Sequence, residues 1–154
     1  PALRKPRACF VTLRLRADNS LRGCTGTLTA QRPLAQEVVL TTAQTALSDP
    51  RFPPVLAAEL PAIQVEISVL TPSQPLVFDN PADLITRLTP GLDGVTLYVH
   101  GRRATFLPQV WDAYPDPKVF LSLLCQKMGL PPDAWKSPGA RVETYRAIIL
   151  AELA

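Results

Sequence analysis

The chain has 154 residues, 47% hydrophobic and 19% charged, enough apolar material for a packed core, which excludes a disordered chain. Its net charge is only +3 and its basic residues are scattered, from Arg4, Lys5 and Arg7 to Arg102 and Arg103, so any nucleic-acid binding is expected to be weak and lost at physiological salt. No apolar run approaches the roughly 20 residues of a membrane-crossing helix, no signal-peptide pattern is seen, and three dispersed cysteines argue against a disulfide framework, so a reducing cytoplasm is the expected setting.

Cys9 to Arg16 alternates, with Cys9, Val11, Leu13 and Leu15 on one face and Thr12, Arg14 and Arg16 on the other, the pattern of a half-buried strand. Ala17-Asp18-Asn19-Ser20 is turn chemistry, and Leu21 to Thr29 returns as the second arm of a hairpin. A loop centred on Asp18-Asn19 sets Cys24 opposite Leu13, on the apolar face, and a one-residue slip reverses that side. Leu34 to Leu47 is predicted helical behind Pro33, with Ala35, Val38, Val39, Ala43, Ala46 and Leu47 as its apolar stripe, and Asp49-Pro50 ends it. Val55 to Leu60 adds one helical turn. In Ile63 to Leu70, the clearest strand, Ile63, Val65, Ile67 and Val69 oppose Gln64, Glu66 and Ser68. Asn80 caps a short helix from Pro81 to Leu88. Val95 to Val99 and Ala104 to Leu107 form a second hairpin around Gly101-Arg102-Arg103. Asp116 caps a helix from Pro117 to Met128 that stops at Gly129, with Val119, Phe120, Leu123, Leu124 and Met128 as its buried stripe. Arg141 to Leu150 reads as a final strand. Hairpin-paired strands with helices interposed irregularly predict an α+β fold with antiparallel sheets.

Several segments occur together in order: Leu21-Arg22-Gly23-Cys24-Thr25-Gly26-Thr27, Asp49-Pro50-Arg51-Phe52-Pro53-Pro54, Val65-Glu66-Ile67-Ser68-Val69, Gly91-Leu92-Asp93-Gly94, Phe106-Leu107-Pro108-Gln109-Val110, and the run from Phe120 to Leu130. In this the chain resembles the AmmeMemoRadiSam system protein A family, the AMMECR-type domain, over nearly its whole length. The Arg-Gly-Cys-x-Gly segment is the most specific piece; family members usually carry isoleucine where this chain has Thr25. They also begin with a helical segment upstream of Phe10 that is mostly absent here, so the first lobe is expected to lack a covering helix. The resemblance implies two unequal lobes, each around an antiparallel sheet, approximately residues 9–71 and 72–154. It implies Memo-type and radical-SAM proteins as partners, and no settled activity, so function follows only by association.

Cys24 is the leading candidate for chemistry. Gly23 and Gly26 flank it, and glycine in a strand marks a bulge or close approach by a ligand or another backbone. A thiolate there can attack a carbonyl or a sulfur, with Arg22 as the cation expected to favour it; the alternative is a small buried residue. Glu66 and Ser68 share the polar face of the central strand, as a general base and a ligand-orienting group or as solvated side chains. Asp49 and Arg51 form a turn-stabilising ion pair or line a cleft, and Gln109 is open in the same way. Thr27, with Arg22, Gly23 and Gly26, completes the candidate ligand-binding set. The single histidine, His100, belongs to no motif, and Cys125 reads as core. No metal site and no cofactor are expected, since the ligands are too few and dispersed and no Gly-rich phosphate loop precedes a helix. Two functions remain: an enzyme or modifying subunit using Cys24 in a cleft between lobes, or a non-catalytic adaptor or substrate-binding protein for the same partners.

Overall fold

The computed structural model describes residues 1–153. The elements run β1 (Cys9–Leu15), β2 (Leu21–Gly26), α1 (Leu34–Ser48), a 3-10 turn (Ala57–Ala62), β3 (Ile63–Leu70), β4 (Gln74–Leu76), α2 (Pro81–Arg87), β5 (Gly94–Val99), β6 (Arg102–Phe106), α3 (Val110–Ala113), α4 (Pro117–Lys127), a second 3-10 turn (Ala134–Lys136), β7 (Arg141–Tyr145) and β8 (Ala147–Ala151). Two four-stranded sheets result, ordered β2-β1-β3-β8 and β4-β7-β5-β6. The fold is α+β, with antiparallel sheets and flanking helices. Among the described residues no helix is long and apolar enough to cross a membrane.

One unit holds Pro1–Thr71 and regains the chain from Ile148; the other holds Pro72–Ala147. The final strand assigned to the second lobe is therefore divided. β7 pairs with β5 until Tyr145 lies opposite Gly94, and β8 then joins the first sheet. The break between β7 and β8 falls at Arg146, whose guanidinium reaches Asp93 at 3.5 Å.

In the first unit, β1 pairs with β3 through seven residues, from Cys9 with Val69 to Leu15 with Ile63. The face bearing Cys9, Val11, Leu13, Ile63 and Val69 is covered by α1, with Leu34 and parts of Val38 and Ala46 packed into it. The predicted stripe of α1 is corrected here. Its buried residues are Leu34, Glu37, Thr41 and Thr45, while Val39 and Leu47 are 67% and 58% exposed. The polar ridge is buried at low cost because it satisfies itself: Thr45 Oγ1 donates to Thr41 O at 2.8 Å, Thr41 Oγ1 to Glu37 Oε1 at 3.3 Å, and Arg32 pairs with Glu37.

The second unit has the larger core. Leu84, Val95, Leu97, Phe120, Leu121, Leu124 and Cys125 are fully buried, and the Trp111 and Phe120 rings stack 3.7 Å apart. The buried side of α4 is Phe120, Leu121, Leu124 and Cys125, so Val119, at 43% exposure, leaves the expected stripe. Met128 is buried as expected, and Gly129 ends the helix with φ +75°. His100 and Gly101, with φ of 51° and 73°, form a two-residue turn between β5 and β6, which moves Arg102 and Arg103 from the predicted loop into a strand.

Candidate functional site

The position of Cys24 follows from the first hairpin. The turn falls one residue earlier than expected, held by Asp18 accepting from Ser20 N and Oγ and by Asn19 at φ 60°. Arg14 pairs with Leu21, Leu13 with Gly23 and Thr12 with Cys24, so Arg22 is an extra residue bulged from β2. The expected pairing of Cys24 with Leu13 is therefore overturned, and with it the side of the sheet. Gly23 and Thr25 face α1; Cys24 faces away, half-buried, and its sulfur accepts a hydrogen bond from Thr12 Oγ1 at 3.2 Å. Across β1, Thr12 lies opposite Glu66, so Cys24, Thr12 and Glu66 form one row over three strands. Ser68 is one step along β3, opposite Phe10.

β2 is an edge strand, and its outward peptide groups at Cys24 need partners. Asp49 and Arg51 supply them. Cys24 N donates to Asp49 Oδ2 at 2.9 Å, and Arg51 Nη2 donates to Cys24 O at 2.9 Å. The clamp is closed on itself: Arg51 Nε and Nη2 reach Asp49 Oδ1 and Oδ2 at 3.1 and 2.9 Å, and Arg51 N donates to Asp49 Oδ1 at 3.0 Å. The Arg51 guanidinium, followed by the Cys24 N–H, holds the Asp49 carboxyl far below the usual carboxylate range. Arg51 is in turn kept charged first by Asp49 and in smaller part by the neighbouring Cys24 sulfur. Asp49 and Arg51 thus form the ion pair that the sequence left open, and it grips the motif cysteine.

The other candidates divide. Arg22 does not face the thiol. It is 8% exposed, donates through Nε and Nη2 to Glu59 at 2.9 and 3.2 Å and to Pro53 O at 3.0 Å, and lies over Phe52. Its bulged position carries it into the segment after α1, and the cation that bonds at Cys24 is Arg51, through the backbone carbonyl oxygen. Gly23 and Gly26 are explained by packing rather than by ligand approach: a Cβ at Gly23 would meet Thr45 at 3.1 Å, and one at Gly26 would collide with the Phe10 ring and Cys9 O. Thr27 spends its hydroxyl on Thr29 O and N within its own turn. Gln109 is exposed at the start of α3 in the second unit, and His100 bonds Ser137 at 3.4 Å. Cys9 and Cys125 are fully buried, and burial raises both thiols.

Thr12 is the residue that sequence reasoning missed. Its alternation already placed it on the polar face; the missing step was the bulge at Arg22, for which Gly23 beside a long basic residue was the only sign.

The chain matches known proteins along almost all of its length. The AMMECR1 family profile covers residues 1–150. A protein of Methanothermobacter thermautotrophicus is 40% identical over 154 residues, spanning 97% of this chain and 77% of the relative. Protein MJ0810 of Methanocaldococcus jannaschii is 36% identical over 148 residues, spanning 96% and 74%. The crystal structure of the uncharacterized protein PH0010 from Pyrococcus horikoshii superposes with a TM-score of 0.80 at 34% identity, over 99% of this chain and 76% of that one. With its two antiparallel sheets and its Arg-Gly-Cys motif in place, the chain belongs to the AMMECR1 family.

Proposed function

We propose that the chain is a cytoplasmic thiol-dependent modifying subunit of the AmmeMemoRadiSam type, in which Cys24 is the nucleophile and Memo-type and radical-SAM proteins are the partners. The observation that carries this reading is the mounting of Cys24. Its backbone is gripped on both sides by Asp49 and Arg51, while its half-buried sulfur receives the Thr12 hydroxyl. Cys9 and Cys125, by contrast, are fully buried. In the step envisaged, Cys24 loses its proton to solvent and the sulfur bonds to an electrophilic carbon or sulfur of the substrate, whose leaving group departs with the electron pair. Thr12 donates to the sulfur, the Arg51 guanidinium holds the Cys24 carbonyl oxygen, and Glu66 lies one strand beyond Thr12.

One observation favours a second reading, a carrier that accepts a group already activated by a partner. The hydrogen bond at the Cys24 sulfur comes from a hydroxyl, Thr12, which is no base. Both readings require an accessible thiol. Native-state alkylation followed by peptide mass spectrometry should modify Cys24 roughly 100-fold faster than Cys9 or Cys125, which react only through openings costing about 3 kcal/mol. Equal resistance of all three thiols would sink the proposal. Cys24→Ser should abolish the product formed with the two partners and leave the unfolding midpoint nearly unchanged.

A further inference from the structure

The second unit carries a pocket of about 460 Å³ at the turn end of the β5–β6 hairpin, lined by residues 98–103, Gly139 and Arg141. We propose that it binds the phosphoryl group of a small phosphorylated metabolite, held between the guanidinium groups of Arg103 and Arg141. Register, charge and an unfilled glycine position carry this assignment.

Tyr98 in β5 pairs with Arg103 of β6 on one side and with Arg141 of β7 on the other. Directly paired residues project from the same face of a sheet. That face points away from the core, since Val95, Leu97 and Val99 alternate with Tyr98 and are buried. Neighbouring strands lie about 4.8 Å apart, so the two arginines are mounted about 10 Å apart with a tyrosine ring between them. The Arg141 guanidinium already leans inward, 4.4 Å from the centre of that ring. Stacking there fixes the plane of its donor fork before a ligand arrives.

Six other arginines of the chain hold carboxylates in ion pairs. Among the described residues Arg103 and Arg141 hold none, and no Asp or Glu lines the pocket. Glu143, next on the same face of β7, accepts a hydrogen bond from the Tyr98 hydroxyl at 3.1 Å. Arg102, on the opposite face, is committed to the fold through Met128 O at 2.8 Å, at the end of α4. Two unpaired forks over one ring call for an anion, and their number selects its shape. A carboxylate has two oxygens and is filled by one bidentate fork, whereas a terminal phosphate has three and takes two forks.

Gly139 lacks the positive φ that demands glycine, and a Cβ there would meet no atom within 4 Å. Neither backbone nor packing requires glycine at this position; the space it keeps open is that of the pocket. Small-ligand pockets begin at about 300 Å³, so the volume here holds an organic moiety beyond the phosphate.

Isothermal titration of the full chain with inorganic pyrophosphate tests the site. At about 0.15 M salt, pyrophosphate should saturate one site per chain with a Kd below about 1 mM, and acetate should bind at least roughly tenfold more weakly. Arg103→Gln and Arg141→Gln should each weaken pyrophosphate binding roughly tenfold, and Arg141→Lys nearly as much, because a point charge replaces the fork. Both arginines are exposed, so the circular-dichroism melt should be kept. Gly139→Leu should weaken binding roughly tenfold with an equally unchanged melt, since its side chain would stand in the pocket. An oligothymidylate of about twelve nucleotides separates a nucleic-acid backbone from a small phosphate: its binding should be lost at the same salt. Pyrophosphate that fails to saturate by about 10 mM overturns the proposal. So do equal affinity for acetate, binding that survives the arginine or Gly139 replacements in folded chains, and oligothymidylate binding tighter than that of pyrophosphate.

Discussion

Removing the Asp49 carboxylate tests whether the clamp positions Cys24 or merely decorates the turn. In Asp49→Ala, the Cys24 N–H loses its acceptor at a part-buried strand edge, a cost of about 1–3 kcal/mol. The turn bond from Arg51 N goes too, at about 1 kcal/mol. The ion pair adds little, because the Arg51 side chain is 55% exposed and regains water when freed. The sum is about 2–4 kcal/mol, or a fall in Tm of roughly 5–15 °C for a chain of this length. Asp49→Asn keeps one acceptor oxygen and should cost about half as much. Hydrogen exchange provides the local readout: the Cys24 amide should exchange at least tenfold faster in Asp49→Ala than in the unaltered chain, with amides of the second unit unchanged. A loss below about 1 kcal/mol, or a Cys24 amide as protected as before, would refute the idea that Asp49 holds this strand edge.

The clamp should also have a pH signature. Because the folded carboxyl of Asp49 titrates below its ordinary range, its stabilisation is complete above about pH 4, where the unfolded group is ionised, and fades as pH drops towards the folded value. Urea unfolding should therefore show the gap between the unaltered chain and Asp49→Ala narrowing from pH 4 to pH 2; a gap independent of pH would contradict the charge assignment. At the motif glycines, Gly26→Ala should cost about 2–4 kcal/mol, since its Cβ would collide with backbone and a ring. Gly23→Ala, meeting Thr45 at 3.1 Å, should cost about 1 kcal/mol. Equal melting points for the two variants would remove the packing explanation of the glycines.

Much of the architecture was legible because strand alternation reports burial directly. Ile63 to Leu70 and Cys9 to Leu15 form strands as their alternation predicts, with Cys9, Val11, Leu13, Ile63 and Val69 buried on the predicted face, and proline after Asn80 and Asp116 marked two helix starts. The helix α1 defeated the same logic. Apolar spacing identified it as a helix, but the face it buries was decided by partners remote in sequence: Thr45 fits beside side-chain-free Gly23 and bonds Thr25 at 2.6 Å, a fit that a larger aliphatic residue cannot make. Arg141 to Leu150 failed for a related reason. A continuous strand signal says nothing about which sheet receives it, and the change at Arg146 depends on where the edge of β3 lies. At the site, the composition of the motif identified Cys24, Asp49 and Arg51 together. Their roles turned on the bulged residue, because one extra position in β2 sends Arg22 to Glu59 and leaves Arg51 as the cation bonded to the Cys24 carbonyl.

The return of β8 to the first sheet has a consequence for biosynthesis. Residues 72–147 are contiguous, so the second unit can close as soon as it clears the ribosome. The earlier-made residues 1–71 cannot complete their sheet until the chain beyond Ile148 has been translated, and until then β3 presents an unpaired hydrogen-bonding edge. Of the two units, the one begun earlier is thus the later to reach its final form. The Cys24 clamp lies wholly within that waiting segment, on the opposite edge of the same sheet, so Asp49 and Arg51 would shield one border of the nascent sheet while the other is still open.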